Sequence, residues 1–120
     1  MEPDWTVIRR VEAAPVFERD LKRLARRYRH IRQDLEPLIE QLENGQTPGD
    51  QISGLDYPVY KVRLKNTDAR RGKSGGYRVI YYWALYDRTV LLAIYSKSDQ
   101  GDISDQEILT ILNEHNGHNG

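Results

Sequence analysis

Tyr77-Arg-Val-Ile-Tyr-Tyr-Trp-Ala-Leu-Tyr86, then Asp87-Arg88-Thr89, then Val90-Leu-Leu-Ala-Ile-Tyr-Ser-Lys97 is the stretch on which the fold turns. Both long runs are dense in β-branched and aromatic residues and contain neither Gly nor Pro, so each predicts a strand. The tight turn around Asp87-Arg88 makes them a hairpin. Just upstream, residues 59–65 (VYKVRLK) predict a third strand, and residues 45–58, with several Gly, Pro, Asp and Ser, predict a loop.

Toward the N-terminus the period changes from two to between three and four. Phe17, Leu21, Leu24 and Tyr28 form one apolar stripe of a helix, opened by Pro15 in its first turn. Ile31, Leu35, Leu38 and Leu42 repeat the spacing, and Asn44-Gly45 supplies a stop; Pro37 is an irregularity inside the second stripe. The two helices make a hairpin joined near residues 28–31. Before them, residues 5–11 alternate and predict a short strand. After the sheet, Ser104-Asp-Gln-Glu107 is a capping box that opens a last short helix through Leu112, with residues 114–120 expected to be disordered. The order predicts an α+β fold in one domain, residues 1–120: an N-terminal helical hairpin packed on a twisted antiparallel β-sheet, then a short C-terminal helix.

Composition removes several kinds of chemistry. The 120 residues include no cysteine, so disulfides, thiolate metal sites and a cysteine nucleophile are excluded. No apolar run approaches the roughly 20 residues that span a bilayer, and the N-terminus lacks a signal-peptide core, so no membrane partner and a cytoplasmic location are expected. The three histidines, His30, His115 and His118, are scattered, and no metal or other cofactor is expected. Gly72-Lys-Ser74 invites a phosphate-loop reading, but Thr67 stands where that motif needs its first glycine, and a strand follows instead of a helix.

Formal net charge is zero, yet the charges are segregated. Nine Lys/Arg lie between Arg9 and Arg32 and seven between Lys61 and Arg78, while acids gather in the second helix, the loop after it and the segment 99–114. A polyanion responds to the local field rather than to the sum. Successive side chains of a strand face opposite ways. Burying Val62/Leu64, Val79/Trp83 and Leu92/Ile94 beneath the two helices gathers Lys61, Arg63, Arg78, Tyr82, Tyr95 and Lys97 on the other face. Lys and Arg there neutralise phosphate, and exposed Tyr stacks unpaired bases. The plainer alternative is the ordinary wet face of a one-sided sheet. Lys65, with Arg71 and Lys73 in the basic loop 70–76, extends this face. Lys22, Arg23, Arg26 and Arg27 lie off the apolar stripe of the first helix, where they either track ribosomal RNA or form a solvated surface.

The segment VYKVRLKNTDARRGKSGGYRVIYYW, followed by LLAIYSKSDQGDIS, resembles the RelE/ParE toxin superfamily, and most closely its HigB-like ribosome-dependent mRNA interferases. FERDLKRLARRY and IRQDLEPLIEQL are similar to that group's helical hairpin, and the resemblance spans roughly residues 5–112. It implies the toxin of a type II toxin–antitoxin system: an endoribonuclease that cuts mRNA on the ribosome without a metal, inhibits translation and is held by a cognate antitoxin. By motif, Lys61 and Arg63 match the paired basic positions of the first sheet strand, Arg78 the arginine after the Gly-Tyr pair, and Lys97 the region of proton transfer. Ser98 stands where an arginine is typical, and no tyrosine follows in residues 99–104, so Tyr82, Tyr95 and Lys97 are the alternatives for the general acid. Two rival readings share the fold: a ParE-like DNA gyrase poison, and a binding module without catalysis. The presence of Lys61, Arg63 and Arg78 on one face favours the nuclease.

Overall fold

The computed structural model describes residues 9–69, 76–84 and 87–119. It contains β1 (Arg10–Ala13), α1 (Pro15–Arg27), α2 (Ile31–Glu43), β2 (Asp50–Gln51), β3 (Val59–Leu64), β4 (Tyr77–Trp83), β5 (Arg88–Ser96) and α3 (Asp105–Asn119). The sheet order is β1-β5-β4-β3-β2. All contacts within it are antiparallel except β1 on β5, which is parallel, so the sheet is mixed. The α+β architecture follows the expectation: a helical hairpin on one face of the sheet and a helix at the C-terminal end.

Local sequence accounts for the helices. Phe17 and Leu24 of α1 are buried, as are Ile31, Leu35, Leu38 and Leu42 of α2, and together they cover Tyr77, Val79, Tyr81, Leu91 and Ile94 of the sheet. Tyr28 follows α1 and meets Tyr77 edge-on, with ring centroids 5.7 Å apart. At the end of α2, Gly45 takes φ +81°, its N–H bonds the Leu42 carbonyl at 3.0 Å, and Gln46 N–H bonds the Gln41 carbonyl at 3.0 Å. That pair of bonds uses the orphan carbonyls of the last turn, and only glycine adopts the required conformation without strain. Pro37 sits on the exposed side of α2, and the helix runs through it.

The β4–β5 hairpin contains an irregularity that alternation does not reveal. Tyr81 pairs with Leu91 and Ile80 with Ala93, so Leu92 has no partner across the ladder. Beyond this bulge the phase of β5 changes. Leu91 and Ile94 face the helical hairpin, whereas Val90, Leu92, Ala93 and Tyr95 face the other way. The expected grouping of Leu92 with Ile94 is therefore wrong, and Ile94 alone of the two lies beneath the hairpin. Trp83 is only partly buried; the Arg9 guanidinium lies 4.1 Å from its ring centroid.

A second correction concerns the far face. It is not an open wet surface: α3 and residues 52–57 cover its centre. Ile108 and Leu112 of α3 join Val59, Ile80, Val90, Leu92, Ala93 and Tyr95 in a second core, with Ile52, Leu55 and Tyr57 packed beside it. Burial on both faces explains why β5 is apolar almost throughout. The capping box forms as read, with Glu107 N–H to Ser104 Oγ at 3.1 Å and Ser104 N–H to Glu107 Oε1 at 3.3 Å. The helix it opens continues to Asn119 instead of ending at Leu112. Among the described residues the first strand is Arg10–Ala13, two residues further along than expected at its C-terminal end; the part of the expected strand at residues 5–8 lies outside the described set.

Leu112 is wholly buried against the sheet while Thr110 faces solvent. Leu112→Ala is expected to lower unfolding stability by about 2–5 kcal/mol. Thr110→Ala should change it by less than about 0.5 kcal/mol. Urea denaturation followed by circular dichroism distinguishes the two, and equal effects would refute the packing of α3 described here.

Candidate nucleic-acid interface and catalytic face

The strand register sets the site. Arg63 of β3 stands opposite Arg78 of β4, which stands opposite Tyr95 of β5; the next row is Lys61, Ile80, Ala93. Lys97 lies just past β5, where its N–H bonds the Gly76 carbonyl at 2.9 Å and carries the pairing one step further. The bulge at Leu92 brings Tyr95 onto the face shared by Lys61, Arg63 and Arg78, and alternation carries Lys97 there too.

Lys61 and Lys97 are joined by a carboxylate. Asp102, in the turn between β5 and α3, places its Oδ1 3.1 Å from Lys97 Nζ and 3.6 Å from Lys61 Nζ. The Lys97 hydrogen bond, followed by the Lys61 charge, holds the Asp102 carboxyl below the ordinary carboxylate range. Arg63 and Lys65 are exposed beside the pair.

Arg78 and Tyr95 lie deeper. Arg78 is 9% exposed and Tyr95 4%. An Arg78 Nη1–H donates to the Tyr77 carbonyl at 3.4 Å. Tyr95 accepts the Ile103 N–H at 3.5 Å; burial raises its phenol pKa, and that amide bond opposes the rise. Tyr95 is therefore no exposed stacking platform, because the turn leading to α3 closes over it. Tyr82 shares the face but packs edge-on against Tyr57, with centroids 5.9 Å apart, under the 52–57 segment. It lies opposite Val59, a full two residues along the strand from the row of Lys61.

The helical set is laid out differently. Lys22, Arg23, Arg26 and Arg27 are all exposed on α1. Arg23 pairs with Asp20 at 3.3 Å. Arg27 reaches both oxygens of Asp99, at 2.9 and 3.0 Å, and its guanidinium lies 5.0 Å from the Tyr28 ring centroid. That hydrogen bond is the first reason its pKa is raised. Arg71 and Lys73 lie outside the described residues.

Asp99 and Asp102 are functional candidates that sequence reasoning did not single out. Both had been counted as part of an acidic C-terminal segment. The available signal was the spacing: Asp102 follows Lys97 by five residues across a Gly-containing turn, close enough to fold back on it. Just after β3, Asp68 accepts the His30 N–H at 2.7 Å and lies 2.6 Å from His30 Nδ1, while Asp34 accepts the Thr67 N–H at 3.0 Å. These contacts tie the segment after β3 to the start of α2.

The model of the RelE family, the RelE toxin of the RelE/RelB toxin–antitoxin system, matches residues 16–116, and the chain belongs to that family. The free-state structure of an E. coli RelE variant with two arginines changed to alanine is similar over 91% of this chain and 98% of that one, with a TM-score of 0.56 and 14% identity. That likeness concerns the fold. No curated protein matches the sequence. Among the described residues no helix is long and apolar enough to cross a membrane.

Burial raises the phenol pKa values of Tyr77, Tyr81 and Tyr95 alike. A raised acid binds its proton longer in the folded state, so this stability is complete below the unfolded value of about 10 and falls as pH rises beyond it. Tyrosinate absorbance should show part of the eight-tyrosine signal appearing only with alkaline unfolding. Tyr81→Phe should make the alkaline loss of stability less steep; an unchanged slope would remove Tyr81 from the account.

Proposed function

We propose that this RelE-family toxin is an endoribonuclease that cleaves mRNA on the ribosome in the cytoplasm and is held in check by a cognate antitoxin. The observation that carries the reading is the convergence of two ammonium groups, Lys61 and Lys97, on one oxygen atom, with Arg78 in the adjacent row behind them. Positive charge concentrated around one anionic oxygen is what a phosphodiester needs as it gains charge.

The chemistry follows from the residue types. The ribose 2′-hydroxyl gives its proton to a base beside it as it attacks the adjacent phosphate, a phosphorane accumulates charge, the P–O5′ bond breaks, and the 5′-oxygen departs with a proton given by an acid on the opposite side. Lys61 and Lys97 flank the phosphate, one toward each of the entering and leaving oxygens. Arg78, always protonated, adds its field from within the protein, where water screens it least. Arg63 and Lys65 engage neighbouring phosphates. Tyr95 keeps its proton and supports the turn, and Tyr82 holds the sheet against Tyr57. No step requires a metal, because fixed cations perform the neutralisation. The ribosome supplies the alignment that a shallow face lacks, so free RNA is a poor substrate.

Arg78→Ala is expected to lower single-turnover cleavage by about two to three orders of magnitude, the scale for one electrostatic donor. Toeprinting in a purified translation system reads the cuts, and an mRNA carrying 2′-O-methyl at the cut nucleotide should stay intact. Cleavage of that modified mRNA, or a product ending in a 3′-hydroxyl, would make water the nucleophile and overturn the mechanism. Uncut mRNA together with blocked DNA supercoiling would favour the gyrase reading.

Replacing Lys22, Arg23, Arg26 and Arg27 with Gln should weaken ribosome binding and flatten its dependence on salt, with cleavage at saturating protein retained. Unchanged binding at all salt concentrations would make α1 a solvated surface.

A further inference from the structure

The turn that follows β5 carries two acids, and each lies on one of the two basic sets. Asp99 grips Arg27 of α1 through both oxygens, and Asp102 bridges Lys61 and Lys97 through one. Residues 98–102 are exposed, and the Asp102 side chain keeps 58% of its accessibility. The backbone of the turn is anchored at both ends, upstream where the Asp99 and Gln100 N–H groups bond the Ser96 carbonyl at 3.0 and 3.2 Å, and downstream where Ile103 N–H meets Tyr95 and Ser104 caps α3.

A carboxylate oxygen and a phosphodiester oxygen make the same demand on a lysine: both are anionic acceptors of charge-assisted hydrogen bonds. The position between Lys61 and Lys97 holds one such oxygen. Two anions cannot share it without strong repulsion, so a phosphate entering between the lysines meets a site already filled. An exposed ion pair is weakly held, because water solvates both partners nearly as well. A polyanion that also competes with Asp99 for Arg27 would loosen the same turn at two points.

We propose that Asp102 occupies the seat of the substrate phosphate in the free protein, and that residues 98–102 form an acidic strap which RNA displaces from Lys61, Lys97 and Arg27. This rests on the reading of the face as an RNA site and adds its regulation: the free toxin carries an internal competitor. The strap acts on affinity and needs no rearrangement of the core, since the exposed side chains of Asp99 and Asp102 let go of their cations while the backbone of the turn stays bonded to Ser96.

The test is fluorescence anisotropy of the full chain with a fluorescein-labelled, fully 2′-O-methylated single-stranded RNA, which cannot be cut. Asp102→Asn preserves shape and removes the charge, and should tighten binding by about three- to fivefold, the scale on which exposed ion pairs compete. Asp102→Glu should bind like the parent. Asp105→Asn removes a charge three residues away on α3 and should shift the affinity less than about twofold, as surface substitutions do. The double variant Lys61→Gln/Lys97→Gln should weaken binding. If the double variant binds as well as the parent, the RNA-site reading itself fails. If it weakens binding while Asp102→Asn is neutral or weaker than the parent, the strap alone is overturned and Asp102 instead organises the lysines. Equal gains from Asp102→Asn and Asp105→Asn would reduce the effect to bulk charge and also overturn it.

Discussion

A β-strand shows the same face only at every second residue, and β5 breaks that rule once. Because Leu92 is passed over in the ladder with β4, residues before it and after it alternate out of phase. Val90 and Leu92 point toward α3, and so do Ala93 and Tyr95. Had the ladder run without interruption from Val90, Ile94 would have faced α3, and Tyr95 would have been driven under the helical hairpin. Lys97 would have followed it, away from Lys61. Both the second core and the cationic pair depend on this one unpaired residue. Bulges commonly lie where a sheet must re-aim a side chain, and this one does so for the end of β5.

Covering both faces of the sheet forces its chemistry to the margin. The centre is occupied by apolar side chains from two directions, so the polar residues collect where α3 and the 52–57 segment stop. Arg78 is the exception, a cation drawn under the turn. Its burial beside two lysines is costly by itself, and a carbonyl contact offsets part of that cost. Its field, held beneath the surface, is one that counterions screen poorly. A chain of zero net charge thus gathers its cations at one margin of the sheet, with Asp99 and Asp102 of the following turn set directly on them and other acids held in α2 and α3.

What the sequence made legible was local. The four-three-four spacing from Phe17 to Tyr28, the Asn44-Gly45 stop, the Ser104–Glu107 box and the hairpin at Asp87-Arg88 each involve residues near one another in the chain, and each forms in the structure. The α+β class followed from their order. Non-local features did not show. Nothing in Arg10–Ala13 reveals that its partner is Arg88–Leu91, since a parallel register depends on packing elsewhere. The bulge was hidden because Leu91, Leu92 and Ala93 are interchangeable in a hydrophobicity pattern. The far face looked wet because Ile108 and Leu112 were read as a helix with no assigned cover. Of the candidate residues, register joins Arg63, Arg78 and Tyr95 in one row with Lys61 beside it, while Tyr82 falls into packing with Tyr57. Asp102 does not show in the sequence because it lies in a turn whose return over the strands no local pattern specifies.

The parallel contact of β1 with β5 has a temporal meaning. Arg10 is bonded through its backbone to Asp87, and Arg9 donates through its side chain to Ala84 and Thr89 and through its backbone to Glu43. Contacts between such distant parts of a chain close late, after the loop entropy between them has been overcome. During vectorial synthesis the first strand emerges with no sheet to join, and α1 and α2 emerge before the strands they cover. The cationic pair is likewise split, with Lys61 exposed to solvent well before Lys97 exists. Until residues 88–97 are made, β1 has no strand to pair with and Lys61 has no second lysine beside it.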